Sequence, residues 1–436
     1  VRPVTVGDLN GDNWPDFIVG TCCNGIQVWT SNSGSGTFTP GQVFSLTPGA
    51  GGPSLGQGVI TDLNGDGRAD YVVSSGQNGG ANIFFGNGNG TFQTPGTFLP
   101  NLAASIAVAD VNGDSRPDLL MGNVAAGSQG LYVYLNNGGG VFSAPSLYAI
   151  PNFSAGFTGG CSVTAADLNS DGILDAVLTN TDSNSIAVLL GNGAGGFGTP
   201  INFAAATFPT NGIVGDFNGD GKPDIGATLR NSRSYGVLLN TTPPPINFAT
   251  PSRVNWIRRY SFGHIKSSTG PLDVMASDDE VNEFGLPTHR IYANDGLGNF
   301  TQTGQISAGG YFGGSVKQSV LADLNGDGFD DIAAVGNNAV VVYLNNGAGF
   351  FPGSPTFVIS PGSSANFPSN FGPGRIAASK TSPGGHVDLA VSGFGDGGKN
   401  KVALFRGNGD GTFVTTPIIL ISGNWPYPGF HLKFLD

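Results

Sequence analysis

Asp62-Leu63-Asn64-Gly65-Asp66-Gly67-Arg68-Ala69-Asp70 is one of six near-copies of a single nine-residue phrase. The others read DLNGDNWPD at Asp8–Asp16, DVNGDSRPD at Asp110–Asp118, DLNSDGILD at Asp167–Asp175, DFNGDGKPD at Asp216–Asp224 and DLNGDGFDD at Asp323–Asp331. The pattern is D-x-N-x-D-x-x-x-D, with Gly in the fourth place of five copies. Oxygen side chains at alternate places of a tight turn suit a hard cation, and calcium takes roughly six to eight oxygens in flexible geometry. Position 1 is Asp8, Asp62, Asp110, Asp167, Asp216 and Asp323, and position 3 is Asn10, Asn64, Asn112, Asn169, Asn218 and Asn325. Position 5 is Asp12, Asp66, Asp114, Asp171, Asp220 and Asp327, and position 9 is Asp16, Asp70, Asp118, Asp175, Asp224 and Asp331. With the carbonyl of position 7, these side chains are the expected ligands of about six structural Ca²⁺ ions.

The loop is not an EF-hand, which closes on a Glu at position 12 between two helices. Here position 12 is apolar, as at Val19 and Val73, and position 9 opens a short apolar run such as DFIVG or DLLMG. Such runs, bounded by Gly, Asn and Ser, read as buried strands, and the segments before each loop read as strands too. The charge pattern agrees with a metal role. Of the 30 acidic residues, 18 occupy positions 1, 5 and 9 of the six loops, and six Ca²⁺ would cancel the formal charge of −12. Like charges packed this closely repel strongly without a counterion.

The repeat extends past the loop. A third strand follows, as in LYVYLN or IAVLLG, and then a Gly/Asn-rich turn closing on Phe. That closure is met at Phe38, Phe92, Phe142, Phe197, Phe300, Phe351 and Phe413, and a weaker fourth strand succeeds it. Two units, around 250–300 and 365–413, lack the metal loop but keep its end in Asp273 and Asp388. Counting position-9 aspartates gives eight units 48 to 58 residues apart. Four strands at such a period predict an all-β chain, a single β-propeller domain over 1–436, because face-to-face packing of blades buries what a lone sheet exposes. The closing Phe is expected between blades. Eight blades is the reading, with seven plus a remnant as the alternative.

The strand–DxNGDGxxD–strand unit with its closing GNGxGTF resembles the FG-GAP or VCBS-type repeat. It is similar to the propeller heads of integrin α subunits and to secreted bacterial FG-GAP proteins. The resemblance implies a calcium-stabilised propeller with its loops outside the central channel. It does not imply one activity, since propellers host many. Integrin heads have seven blades, and this chain departs from them with eight units, two of them degenerate. It also ends in GFHLKFLD, which matches a unit-opening strand and is a candidate for pairing with its own sheet or for self-association.

No strong catalytic signature is present: His264, His289, His386 and His431 show no HExxH spacing, GxSxG is absent, and three Cys make no zinc pattern. The GxGxxG at Gly191–Gly196 is a closing turn and is followed by Phe197, Gly198, Thr199 and Pro200 rather than by a helix. Arg and aromatic residues gather in the degenerate sixth unit, and Trp256, Arg258, Arg259, Tyr260 and His264 are the candidate ligand-binding set for sugar acids or an acidic surface. An enzyme reading, a polysaccharide lyase, takes His264 or His289 as base. In the eighth unit Lys380 stands at loop position 1 and is a candidate stand-in for the ion.

A pI near 4.5 with scattered basic residues disfavours nucleic acid. No apolar run approaches membrane-spanning length. Calcium loops of this kind fill at extracellular levels, so export is expected, with translation starting upstream of Val1. Cys22, Cys23 and Cys161 are expected as buried thiols, with a vicinal Cys22–Cys23 disulfide as the other option. Asn89, Asn152, Asn240 and Asn299 stand in N-x-S/T sequons. The reading is a secreted or surface recognition module for glycan or extracellular protein. The alternatives are a structural subunit of an extracellular assembly, then a lyase.

Overall fold

The computed structural model describes residues 2–20, 25–32, 38–46, 58–74, 80–101, 105–124, 129–151, 153, 161–205, 208–229, 234–241, 248, 252–254, 259–278, 288–297, 299–307, 317–336, 339–359, 372–380, 385–394, 400–415, 418–423 and 430–431. Among them the strands form eight sheets, each containing four strands consecutive in the chain, and no helix occurs. These are the blades of the expected all-β propeller. Blade 1 spans Arg2–Ser45, blade 2 Gly58–Leu99, blade 3 Ser105–Ala149 and blade 4 Val163–Ala204. Blade 5 spans Pro209–Val254, blade 6 Arg259–Ser307, blade 7 Gln318–Ile359 and blade 8 Gly372–Gly423. The count settles on eight rather than seven.

The chain forms two compact units. One comprises Val1–Gly11, Asp16–Trp29 and Pro40–Asn255, the other Asp12–Pro15, Thr30–Thr39 and Trp256–Asp436.

In the first unit the period-2 alternation of each second strand splits its side chains between two interfaces. On blade 2, Tyr71 and Val73 join Ile18, Val28 and Phe44 of blade 1, while Val72 joins Ile106, Leu119 and Met121 of blade 3. The same logic packs blade 3 on blade 4 through Leu120, Leu131 and Leu178, and blade 4 on blade 5 through Val177, Val188 and Ile225. In the second unit Met275 and Ile291 of blade 6 meet Ile332 and Val341 of blade 7. Val335, Val340 and Val342 of blade 7 meet Leu389, Val391 and Phe405 of blade 8. Both faces of blades 2, 3, 4 and 7 are thereby buried, which is why their strands read as unbroken apolar runs.

The closing Phe residues lie in these interfaces. Phe92 sits 5.6 Å from Phe44 across the blade 1–2 contact, and Phe197 meets Tyr148 edge-on at 5.6 Å in the blade 3–4 contact. Phe351 and Phe413 lie in the interfaces of blades 6–7 and 7–8. Blade 5, for which the sequence shows no closing phrase, closes on Phe248, which bridges to Asn240 and packs 4.8 Å from Phe203 of blade 4. Phe38 and Phe300 are only half-buried and begin fourth strands.

Cys161 is half-buried, packed against the blade 3–4 contact, and desolvation raises its thiol to about 12. Cys22, Cys23 and Asn152 lie outside the described residues. Asn240 is 1% exposed and bonded within the fold, so its sequon is structural, whereas Asn89 and Asn299 are exposed.

Candidate metal loops

Each loop curls around its position-1 carboxylate. In blade 2, Asp62 accepts the N–H of Gly65 at 2.7 Å, of Asp66 at 3.3 Å and of Gly67 at 2.8 Å. Asn64 accepts the Asp66 N–H at 2.9 Å and donates its amide to the Asp66 carboxylate at 3.2 Å. Asp66 in turn accepts the Arg68 N–H at 2.9 Å. Blade 3 repeats the arrangement with Asp110, Asn112 and Asp114, and blade 4 with Asp167, Asn169 and Asp171. So do blade 5 with Asp216, Asn218 and Asp220, and blade 7 with Asp323, Asn325 and Asp327. In blade 1, Asp8 accepts the N–H groups of Asn10 and Gly11, and Asp12 accepts the Trp14 N–H.

The curl requires a left-handed residue at position 4. Gly65 has φ 78°, and Ser170 is forced to φ 61° at the same place in blade 4. Positions 1 and 3 end half-buried and position 5 exposed in blades 2, 3, 4, 5 and 7. Three position-5 carboxylates carry a cation from position 7: Asp66–Arg68 at 3.9 Å, Asp114–Arg116 at 3.3 Å and Asp220–Lys222 at 3.6 Å. Such exposed pairs contribute little stability.

This oxygen-only, net-negative surface fits a hard cation in its chemistry. Among the described residues, however, no three His, Cys, Asp or Glu side chains are grouped so as to hold a metal ion. Position 9 points elsewhere. Asp70 is fully buried, with Oδ2 accepting the N–H of Leu63 at 2.9 Å and Oδ1 accepting that of Gly86, at the end of the third strand, at 2.7 Å. Desolvation is the largest influence on these carboxyls and raises them: Asp175, Asp224 and Asp331 to about 6, Asp70 and Asp118 upward. Opposite every position-9 aspartate stands a small residue: Gly7, Thr61, Ala109, Ala166, Gly215, Gly263, Ala322 or Ser379.

Beside position 9 lies a device that the sequence reading did not find. Asn136, at the end of the third strand of blade 3, donates to Leu63 O of blade 2 at 2.7 Å and to its own blade's Pro117 O at 3.1 Å. Asn240 bridges Leu168 O and Pro223 O, and Asn345 bridges Ile265 O and Asp330 O, in the same way. Blades 2 and 8 carry Gly86 and Gly407 at this place. There a closing-turn N–H takes over, Gly90 donating to Leu9 O at 3.1 Å and Gly411 to Leu324 O at 3.2 Å. The carbonyl of loop position 2 is thus tied to the next blade by either route in blades 1, 2, 4 and 7, as is that of Ile265 in blade 6. An Asn just after an apolar strand and before a Gly-rich turn was the available signal.

Most of the candidate ligand set of blade 6 lies outside the described residues. Trp256 and Arg258 lie outside the described residues, as do the side chains of Arg259 and Tyr260. His264 is half-buried, its main chain tied both ways to Asp330: its N–H donates to Oδ2 at 2.7 Å, and its carbonyl accepts the Asp330 N–H at 2.9 Å. His289 is 0% exposed, which removes it as the base of a lyase. In blade 8 the cation beside Asp388 is Arg406 at 2.9 Å, and Lys380, the candidate stand-in for the ion, is exposed. Among the described residues no helix is long and apolar enough to cross a membrane.

The family model of the FG-GAP-like repeat matches residues 8–73, 62–121, 123–178, 167–227 and 323–372, and that of the FG-GAP repeat matches 102–141. No curated protein sequence matches the chain. Among solved structures, a lectin of Agrocybe aegerita, described for its specific recognition of non-reducing terminal N-acetylglucosamine, is similar at 22% identity and TM-score 0.50, covering 82% of this chain and 93% of that one. A V. cholerae biofilm matrix protein is similar at 11% identity and TM-score 0.37, covering 96% and 93%. A functionally unknown protein from Desulfotomaculum acetoxidans is similar at 13% identity and TM-score 0.42, covering 78% and 92%. At these identities the likeness is one of fold.

Proposed function

The chain belongs to the FG-GAP-like repeat family, and from that premise we propose that it is an extracellular, calcium-loaded recognition module that binds glycans. The observation that carries this reading is the shared fold with a sugar-binding lectin over 82% of the chain. The absence of a convergent catalytic group in the sequence supports binding over turnover. Calcium, when bound, supplies local positive charge that offsets the carboxylates of positions 1 and 5, beside the amide oxygen of position 3. The loop residues themselves hold the turn between the first and second strands through the N–H bonds to position 1. Coupling of folding to metal follows, because a preformed loop binds better than an unfolded one. Extracellular calcium is high enough to fill loops of this type.

The test is a glycan-array screen in millimolar calcium, with terminal N-acetylglucosamine structures included and an EGTA-treated sample in parallel. Binding that is lost in EGTA supports the reading. No glycan bound, with calcium-dependent stability intact, overturns the glycan assignment in favour of a protein partner. Metal analysis finding far fewer than six calcium ions per chain overturns the loop assignment.

A further inference from the structure

Among the described residues seven large apolar side chains are exposed, and one of them is aromatic: Phe350 of blade 7, at 67%. It stands in the closing turn beside Phe351, which is 6% exposed and fills the blade 6–7 interface. The same place in the closing turns of blades 2, 3, 4, 6 and 8 holds Thr91, Val141, Gly196, Asn299 and Thr412. The turn does not need the outer ring to hold its shape. Asn346 Oδ1 accepts the N–H of Ala348 at 3.0 Å and of Phe350 at 3.3 Å. Asn345 Oδ1 accepts the N–H of Gly347 at 3.1 Å and of Gly349 at 3.2 Å, while its amide is tied to Ile265 O of blade 6. The ring is therefore carried on a turn fixed in advance, which lowers the ordering cost of binding. Polar side chains of blade 6 lie along the same edge of blade 7. A Cβ on Gly349 would be 2.7 Å from Lys266 Cγ, and one on Gly328 would be 3.7 Å from Ser268 Cβ. Lys266 and Ser268 are both exposed. At the other end of the turn a Cβ on Gly347 would be 3.2 Å from the half-buried ring of Phe329, at loop position 7.

We propose that the closing turn of blade 7 is a sugar-binding platform at the blade 6–7 junction, on which Phe350 stacks against the C–H face of a neutral pyranose and Lys266 and Ser268 donate to its hydroxyl rim. A pyranose has one face of C–H groups and an edge of hydroxyls, and the negative face of an aromatic ring attracts the former. Size decides between occupants. One aromatic side chain offers at most about 150–250 Å², whereas a stable protein interface takes about 800 Å² from each partner. A single ring with an ammonium and a hydroxyl on the neighbouring blade fits one sugar unit better than a second protein. The assignment rests on the glycan reading of this chain and adds to it a place and a ligand class.

The test runs the glycan array in millimolar calcium on the wild type, Phe350→Ala and Phe350→Trp. Val141→Ala is the control, because Val141 is 62% exposed at the same place of the blade 3 turn. Tm is measured for each. Phe350→Ala is expected to weaken the glycans that the wild type binds by about tenfold, with Tm unchanged because the ring is exposed. Phe350→Trp is expected to keep binding, and its added indole emission to shift as the best array glycan is titrated in. Val141→Ala is expected to bind as the wild type does. If Phe350→Ala binds as tightly as Val141→Ala, the platform is overturned and the glycan reading stands. If Phe350→Ala loses Tm together with binding, the ring serves the fold and the platform is again overturned. If the wild type binds no glycan on the array, the platform and the glycan reading fall together.

Discussion

Replacing Asn136 by Ala removes the two bonds that tie blade 3 to the carbonyl of Leu63 in blade 2 and to its own Pro117, at 2.7 and 3.1 Å. The main-chain bond from Asn136 N–H to Asp118 survives, because it does not involve the side chain. The site is 1% exposed, so two carbonyls are left in a dry interface. An unsatisfied buried polar group costs about 1–3 kcal/mol. The space vacated by the amide lets a water recover part of that for one acceptor, so the expected loss is about 2–4 kcal/mol. At about 2–4 °C per kcal/mol for a unit of this size, Tm falls by roughly 5–10 °C. The assay is thermal unfolding followed by circular dichroism, with Asn89→Ala as the control. Asn89 is exposed in the closing turn of blade 2 and serves only local bonds to Thr91. Asn136→Asp sharpens the test, since it sets a carboxylate against two carbonyls and near Asp118. Its loss at neutral pH should exceed that of Ala and shrink as the new carboxyl is protonated. If Asn136→Ala unfolds at the same temperature as Asn89→Ala, the inter-blade tie contributes nothing and the reasoning fails.

The other expectations rest on single features. His289 is held neutral by burial, its pKa lowered from 6.5 to about 4. Stability from this group is therefore present above pH 6.5 and lost as pH falls from 6.5 to 4, to the extent of about 3 kcal/mol. His289→Leu should flatten that part of the wild-type Tm profile, and an unchanged profile would contradict it. Ser170 adopts φ 61°, where the other loops with this turn place Gly, so Ser170→Gly should raise stability by up to about 1 kcal/mol and Tm by a few degrees. Arg406→Ala strips one of the partners of the buried Asp388 and should cost about 2 kcal/mol, with a double-mutant cycle against Asp388→Asn showing coupling of similar size.

Much of the fold was legible because the repeat marks its own boundaries. Each D-x-N-x-D phrase is followed at once by an apolar run, and each closing Phe falls where a third strand must end, so strand order could be read without knowledge of contacts. Blade 5 shows the limit. Its closing turn lacks the Gly-rich phrase, and Phe248 is recognisable only from its packing on Phe203. Spacing also set the loop apart from an EF-hand, but spacing counts residues and does not give the direction of a side chain. Position 9 was grouped with positions 1 and 5 on distance along the chain. The burial of Asp70 at the start of the second strand, with the N–H groups of Leu63 and Gly86 on its oxygens, is a fact that such spacing does not carry.

The third-strand Asn residues were illegible for a different reason. Their partners are main-chain carbonyls some 73, 72 and 80 residues away, which carry no side-chain signature. That the same carbonyl is also satisfied from Gly90 and Gly411, where Gly replaces Asn, shows what is fixed in this architecture. The acceptor at loop position 2 must be paired by the neighbouring blade, and the identity of the donor is free. At position 9 the acceptor is an aspartate in all eight blades and takes a main-chain N–H in each, with a guanidinium added in blade 8. Buried polar groups of both kinds leave a blade free to vary its surface loop, and blades 6 and 8 have lost theirs without losing the sheet. A lost loop should therefore remove a calcium-dependent increment of stability and leave the blade folded. Loss of the position-9 acceptor should instead cost stability within the blade, because its buried main-chain donors are left unpaired.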